Sequence, residues 1–592
     1  MSTPHDAHTP ATAPILGAGA TAATAAFGIA VAAALLPSLL AYNIPPSPTF
    51  LNQALAFVLW VGFVGATVPT ASRGAGLLHG VLAILAAAAA WAWLGGGLPA
   101  SLALSAIGTL AATAYLAAGG VSRQTPVNAE ALFAMFCWAW VAAGALNVVV
   151  ALVQVFAPEL PDGNWIAASG IPGRAVGNLR QPNHLSSLLL WSCISVIALL
   201  DLRRLSLRQA AVALAVLVCA VVLSASRTGL VSVLLLALWG LFDRRLSRPA
   251  RVLLLLAPVI YALAWWGMAQ WAAASAHSFG GTARLAESDI SGSRFGIWRD
   301  TLALIMANPW GGVGFGEFNL AWTLSAFPGR PTAYFDHTHN LPLQLAVELG
   351  LPLATAVMAL LLWALARAAR TAWRAQGDTS TAQRCAVMMV LMIGLHSLLE
   401  YPLWYAYFLL PAAWAFGFAL RGPDTVETAS VTSPWQRPLL AWAGWALVAG
   451  AAFSVWDYSR VAAIFSAAPG APSLEQRITT GQKSVFVAHH ADYAAVTSGV
   501  AAADPARAFD RTSHYLLDSR LMIAWATALA ARGEVEAARH IAARLREFGR
   551  GEAENFFDAC PDAAVAPAAG LPFQCELPAA GLGWRDFLPR QR

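Results

Sequence analysis

The chain has 592 residues, 58% of them hydrophobic and 11% charged, and its mean hydropathy is +0.59. A soluble fold of this size has no interior large enough to hide so much apolar surface, which leaves an integral membrane protein. The formal charge of +5, from 36 Lys and Arg against 31 Asp and Glu, is small and sits in short loops between apolar segments; it reads as a topology signal, not as a nucleic-acid footprint.

In chain order, residues 1–13 are polar and lack a basic stretch ahead of the first apolar segment, so no cleavable signal peptide is expected. About thirteen predicted transmembrane helices follow, near 20–42, 51–70, 75–95, 99–119, 129–156, 184–201, 207–224, 229–243, 250–274, 341–364, 384–399, 403–420 and 437–456. Arginines mark three of the linkers: Arg203, Arg204 and Arg208; Arg244, Arg245, Arg248 and Arg251; Arg367, Arg370, Arg374 and Arg384. With the N-terminus inside, this span count puts all three linkers in the cytoplasm. It puts the loops 157–183, 275–340 and 400–402, and the tail from 457, on the outer face. The expected organisation is a transmembrane catalytic domain over 1–456 and a soluble helical domain over 457–592. In that tail, Leu521 to Phe548 carries apolar residues at helical spacing on either side of Gly533, the pattern of a helical hairpin similar to one tetratricopeptide-like unit. Cys137, Cys193, Cys219 and Cys385 lie in apolar spans and read as small core residues. Cys560 and Cys575 lie in the tail, where an oxidising compartment favours a disulfide.

The unusual polar clusters all fall on the outer side of this topology. G-N-L-R-Q-P-N-H (Gly177 to His184) offers Gln181, Asn183 and His184, and E-Y-P-L-W-Y offers Glu400, Tyr401 and Tyr405. Amides and flat aromatic rings suit sugar binding, and equally suit a membrane-interface belt. Arg227 lies in a tight turn between two spans, where a charge needs an anionic partner. Arg294 and Arg299 lie in the large outer loop; guanidinium binds phosphate oxygens in pairs, and also snorkels to lipid headgroups. In D-H-T-H-N, His337 and His339 are two residues apart, which does not put both on one helix face for zinc. An imidazole there takes a proton from a hydroxyl nucleophile, or merely caps the interface. Asn340 caps the next helix or orients His339. The glycines of N-P-W-G-G-V-G-F-G lack the Lys-Ser/Thr ending of a nucleotide loop. Glu287, Asp289, Glu317 and Asp336 are dispersed, so no divalent-cation site is expected.

Together, H-T-H-N-L-P-L-Q-L-A-V-E-L-G and the R-F-G-I-W-R-D-T-L-A-L-I-M-A-N-P-W-G-G-V-G-F-G-E-F stretch before it resemble the signature of the O-antigen ligase and polymerase superfamily. G-N-L-R-Q-P-N-H-L and H-S-L-L-E-Y-P-L-W-Y-A-Y-F-L-L-P resemble its branch of bacterial O-linked oligosaccharyltransferases, over about residues 165–420. The resemblance implies an all-α polytopic enzyme of glycosyltransferase-C type in the bacterial inner membrane, with its active site on the periplasmic face. It implies transfer of a glycan en bloc from undecaprenyl diphosphate to an acceptor, a periplasmic protein such as pilin, with no metal or other cofactor. His339 maps to the essential histidine; Gln181 and Tyr401 map to motif positions; Arg227 and Arg294 map to the outer-face arginines. In this reading His339 acts as general base or positions the acceptor hydroxyl, Arg227 and Arg294 neutralise the diphosphate, and Gln181, Asn183, His184, Arg299, His337, Asn340, Tyr401 and Tyr405 contact substrate. An O-antigen ligase acting on lipid A core and an O-antigen polymerase are the nearest alternatives. A lipid-linked glycan flippase is a third, disfavoured because the mid-span segments carry almost no charge.

Overall fold

The structure, a computed structural model, describes residues 16–67, 73–122, 128–275, 277–282, 290–422, 436–500, 504–549, 551–560, 570–579 and 581–588. Residues 1–13 and the acids Glu287 and Asp289 lie outside them. Among the described residues every regular element is helical, as backbone in a bilayer requires when no water satisfies its polar groups. The membrane part runs α1 (Leu16–Leu39), α2 (Phe50–Ala66), α3 (Gly76–Gly95), α4 (Ala100–Val121), α5 (Ala129–Phe156), α6 (Pro182–Asp201), α7 (Leu207–Leu223), α8 (Arg227–Phe242) and α9 (Arg248–Ala274). The outer loop holds α10 (Ile290–Ala307) and α11 (Phe318–Leu324). Then come α12 (Leu341–Arg374), α13 (Gly377–Ser397), α14 (Ala406–Ala419) and α15 (Gln436–Phe465).

A helix stands at each predicted span, yet among the described residues only seven are long and apolar enough to cross a membrane: α3, α4, α5, α6, α9, α12 and α15. The helix α14 has 14 residues, about 21 Å at 1.5 Å per residue, against a hydrocarbon core of about 30 Å. It is packed within the protein: Leu410, Trp414 and Phe418 are fully buried. Its backbone lies directly on α4, where a Cβ on Gly417 would sit 2.2 Å from the Ala117 carbonyl oxygen and one on Gly120 would sit 2.1 Å from that of Trp414. Around this contact, Trp60, Phe63, Phe136, Trp140, Trp191 and Trp414 form one aromatic core from α2, α5, α6 and α14.

The arginine-rich linkers gather at one end of the bundle. There Arg203 pairs with Asp378, Arg384 with the buried Asp243, and Arg245 donates to the Trp373 carbonyl. All the outer-face motifs lie at the opposite end. The helix α15 runs past the expected boundary at 456 to Phe465, and Asp457 within it is fully buried, accepting from Ser484 and from the amides of Val485 and Phe486.

The tail continues as α16 (Leu474–Gly481), α17 (Ala488–Thr497), α18 (Pro505–Thr512), α19 (Ser519–Ala531), α20 (Val535–Arg546) and α21 (Glu552–Phe557). The expected hairpin is α19 and α20, turning at Gly533 with φ +82°. Cys560 and Cys575 form the expected disulfide, with Cα atoms 5.3 Å apart. The tail is not a separate body, however. Phe318, Trp322 and Leu324 of the outer loop share one hydrophobic core with Leu521, Leu545 and Phe548 of the tail. Polar contacts pin the same seam: His514 on Glu317, the Leu517 amide on Asn319, Arg330 on Glu547 and His540 on the Leu324 carbonyl.

The glycine-rich stretch that follows α10 has a structural purpose. Pro352 has no N–H, so it cannot bond the Glu348 carbonyl four residues back, and α12 breaks at Gly350, φ +76°. The loop supplies the missing bonds. Val313 N donates to Val347 O at 2.8 Å, Gly314 N donates to Glu348 O at 3.1 Å, and Leu351 N donates to Pro309 O at 2.7 Å. The two backbones approach closely enough that a Cβ on Gly350 would lie 2.3 Å from Trp310 O. Gly350→Ala should therefore destabilise the protein by at least about 2 kcal/mol, from the left-handed φ and the clash together, read as a lower Tm of the purified protein in detergent.

Candidate active site

Three helix N-termini meet at the outer end of the bundle. The N-caps are Gln181 for α6, Ser226 for α8 and Asn340 for α12, each accepting from a backbone amide of its own first turn. Just before each cap stands a non-glycine residue in the left-handed region: Arg180 (φ 57°), Ala225 (φ 47°) and His339 (φ 55°). This backbone is strained and is held only by its surroundings. Asn178 and Gln154 hold the first of these turns through the Leu39, Trp165 and Ala167 carbonyls and the Val176 and Gly177 amides. Trp298 and Gln344 hold the third, through the carbonyl and amide of Thr338.

At their meeting point sits Glu400, 6% exposed. Its Oε2 is 2.7 Å from His339 Nδ1. Its Oε1 accepts from Asn183 Nδ2 at 2.9 Å and is ion-paired to Arg294. Asn183 in turn accepts from Ser226 Oγ at 2.6 Å, which ties α6 to α8. Burial alone would raise the Glu400 carboxyl. The hydrogen bond and charge of His339 and the guanidinium of Arg294 outweigh it and hold it at about 2. Glu400 is thus an anion at neutral pH and a weak base. An imidazole whose Nδ1–H donates to it presents Nε2 with its lone pair available.

His337 faces another way. Its ring stacks on Tyr401 at 4.5 Å, meets Trp404 edge-on at 4.7 Å, and its Nδ1 lies 3.0 Å from Asp336. Tyr401 also touches the edge of the His339 ring at 4.8 Å. Beside these residues opens a cavity of about 1170 Å³. Its floor is aliphatic, from α3, α4, α8, α12, α13 and α14; its mouth carries Asp336, His337, Gln344, Glu348, Trp404 and the tail residues His514 and Tyr515. Val231, Leu234 and Leu238 line it. They follow Arg227 at spacings of four, seven and eleven, one face of α8. Arg227 is exposed at the first turn of that face, above the aliphatic wall.

Of the residues singled out from sequence, His339, Arg294, Asn183 and Tyr401 come together, with Asn340 fixing the turn. Three others make hydrogen bonds within the protein. Gln181 spends its side-chain oxygen on the His184 amide at 2.8 Å. His184 is buried behind the site, 3.1 Å from Tyr407 Oη and packed edge-on against Tyr405 at 4.5 Å. Arg299 binds Asp300 and the Gly329 carbonyl, because five helical residues put it about 140° around α10 from Arg294. Tyr405 supports the pile from beneath Tyr401, at 6.1 Å. These bonds engage part of the polar atoms of Gln181, His184 and Arg299 in holding the surroundings of the site. What the sequence reading underused is Glu400. As the acid between two spans within reach of arginine and histidine motifs, it was visible, but its partners lie 61, 106 and 217 residues away. Among the described residues no group of three His, Cys, Asp or Glu is arranged to hold a metal ion.

The depressed Glu400 value has a pH signature. Because the folded value lies below the ordinary 4.5, its stabilising contribution is complete above about pH 4.5 and is lost as pH falls toward 2. Thermal unfolding of the wild type should show this acid-labile component, and Glu400→Gln should lack it. At neutral pH the same variant leaves His339 Nδ1 without its charged acceptor, so a reaction that uses Nε2 as a base should slow by about 100-fold or more.

Three segments of the chain match known families: 175–200 a model described as protein glycosylation ligase, 212–358 one described as O-antigen ligase, and 384–556 one described as virulence factor membrane-bound polymerase, C-terminal. Asn183, His339 and Glu400 fall one in each. A general O-oligosaccharyltransferase of Acinetobacter baylyi is 25% identical over 340 residues, 53% of this chain and 56% of that protein. A ComP-specific O-oligosaccharyltransferase of the same organism is 24% identical over 293 residues, 48% of this chain and 50% of that protein. The chain thus spans about half the length of the curated relatives it matches. With its site assembled from all three matched segments, these similarities support an O-antigen ligase superfamily protein of the O-oligosaccharyltransferase type.

Proposed function

We propose that this protein is a glycosyltransferase that moves an oligosaccharide en bloc from undecaprenyl diphosphate to Ser or Thr hydroxyls of exported proteins such as pilin. The single observation that carries the reading is the His339–Glu400–Arg294 cluster beside a long aliphatic cavity. A prenyl chain fits the aliphatic floor, and its diphosphate comes to the helix N-termini of α6, α8 and α12, where backbone amides and Arg227 favour an anion. Arg294, shared with Glu400, adds a second cation.

The acceptor oxygen attacks the anomeric carbon, and the bond from that carbon to the phosphate oxygen breaks. Undecaprenyl diphosphate leaves with the bonding electrons, a departure that Arg227 and Arg294 stabilise. The hydroxyl proton passes to His339 Nε2, and Glu400 stabilises the imidazolium formed. No step calls for a metal, and we propose a metal-independent reaction. An O-antigen ligase acting on lipid A core is the second reading, favoured by the O-antigen ligase description over 212–358. Supplying purified pilin and lipid A core in parallel to the same enzyme separates the two.

His339→Ala should reduce transfer about 1000-fold while leaving binding of the lipid donor and the yield of folded protein unchanged. Transfer at a near-wild-type rate would remove His339 from the mechanism.

We further propose that the bundle lies in the inner membrane with the site and the tail, 457–592, in the periplasm, the crossings numbering about thirteen. The support is the segregation of arginine linkers to the far end. Gly470 lies in an exposed turn between α15 and α16. A reporter fused there should be active only if it is a periplasmic one; a cytoplasmic signal would invert the topology.

A further inference from the structure

One wall of the cavity comes from neither the membrane helices nor the outer loop. His514 and Tyr515, which follow α18 in the tail, line it together with Trp404 and His337. His514 is buried, and its Nδ1 lies 2.7 and 2.8 Å from the two Glu317 oxygens. Its Nε2 has no hydrogen-bond partner among the described residues. A buried ring nitrogen without a partner is costly whether it carries a proton or not. The His514 side chain is 0% exposed, so it backs the wall while Tyr515 faces the cavity.

Tyr515 differs from the core aromatics around it. It packs on the rings of His489 at 4.4 Å and His490 at 4.9 Å, yet 45% of it stays exposed. Across the mouth Trp404 is 41% exposed, and the His337 ring lies against Tyr401. Flat apolar faces alternating with hydroxyl, imidazole and carboxylate groups are the chemistry that recognises pyranose rings. The neighbouring floor is aliphatic and too uniform to read a polar ligand.

We infer that the tail completes the donor site: Tyr515 binds the sugars nearest the diphosphate by its ring face, and His514, anchored on Glu317, is the positioning residue behind it. This rests on the donor reading above. The tail then selects among lipid-linked glycans by their first sugars, and its seam with the outer loop, at Glu317 and Asn319, sets the position of that wall.

The test compares binding of two probes to the full-length protein in lipid nanodiscs. One is bare undecaprenyl diphosphate; the other is the lipid-diphosphate oligosaccharide extracted from the organism that encodes the chain. Wild type should bind the glycosylated probe about ten-fold more tightly, the size of an aromatic contact plus a hydrogen bond. Tyr515→Ala should cut that preference to about two-fold or less and leave bare-lipid affinity unchanged. His514→Ala should act in the same direction, with docking of the tail followed by protease resistance of the 466–473 connection. Equal binding of both probes by wild type, or an undiminished preference in Tyr515→Ala, would overturn the inference. So would a rise in KM for the acceptor protein alone, which would assign this wall to the acceptor. Failure of wild type to bind either probe would instead strike the donor reading itself, and this inference with it.

Discussion

A carboxylate that is 6% exposed must be surrounded by donors or it will not stay ionised. Glu400 meets that demand with Asn183 from the start of α6, Arg294 from α10 and His339 from the turn before α12. The surrounding architecture is arranged around this one requirement. The left-handed turns at Arg180, Ala225 and His339 bring three helices in at the angles needed. Gln181 Oε1 and His184 Nδ1 help to hold that arrangement.

The same network divides the labour between the two histidines of D-H-T-H-N. Being two residues apart in an irregular turn, their rings point to different neighbours. His339 is bound to the carboxylate and is oriented as a base. His337 is stacked between Tyr401 and Trp404 and forms part of the cavity mouth. The dyad therefore sits next to the cavity, to which the turn presents Asp336 and His337.

The break in α12 links stability to the site. Pro352 frees the Glu348 carbonyl, the loop over 309–314 takes it up, and the same turn of helix presents Gln344 and Glu348 to the cavity. The strand-like pairing also fixes the loop that leads into Glu317 and Asn319, on which the tail docks. Backbone bonds to the broken helix, and then the side chains of Glu317 and Asn319, thus connect a proline inside a membrane helix to the tail residues at the cavity wall.

The sequence by itself determined the class of fold, the position of each apolar helix, the disulfide and the hairpin around Gly533, because periodicity, hydropathy and turn chemistry are local. It also identified the motifs that meet at the site, because polar residues are rare enough in this chain to stand out. Only the tertiary structure decided which of them touch. Helical phase separates Arg294 from Arg299; burial sets His184 behind the site; and Glu400 becomes the hub through partners up to 217 residues away. The length of α14 was likewise beyond sequence reading, because a helix covered by protein need not match the bilayer. So was the merging of tail and outer loop into one core, since an apolar face on a predicted helix says that it is covered without saying by what.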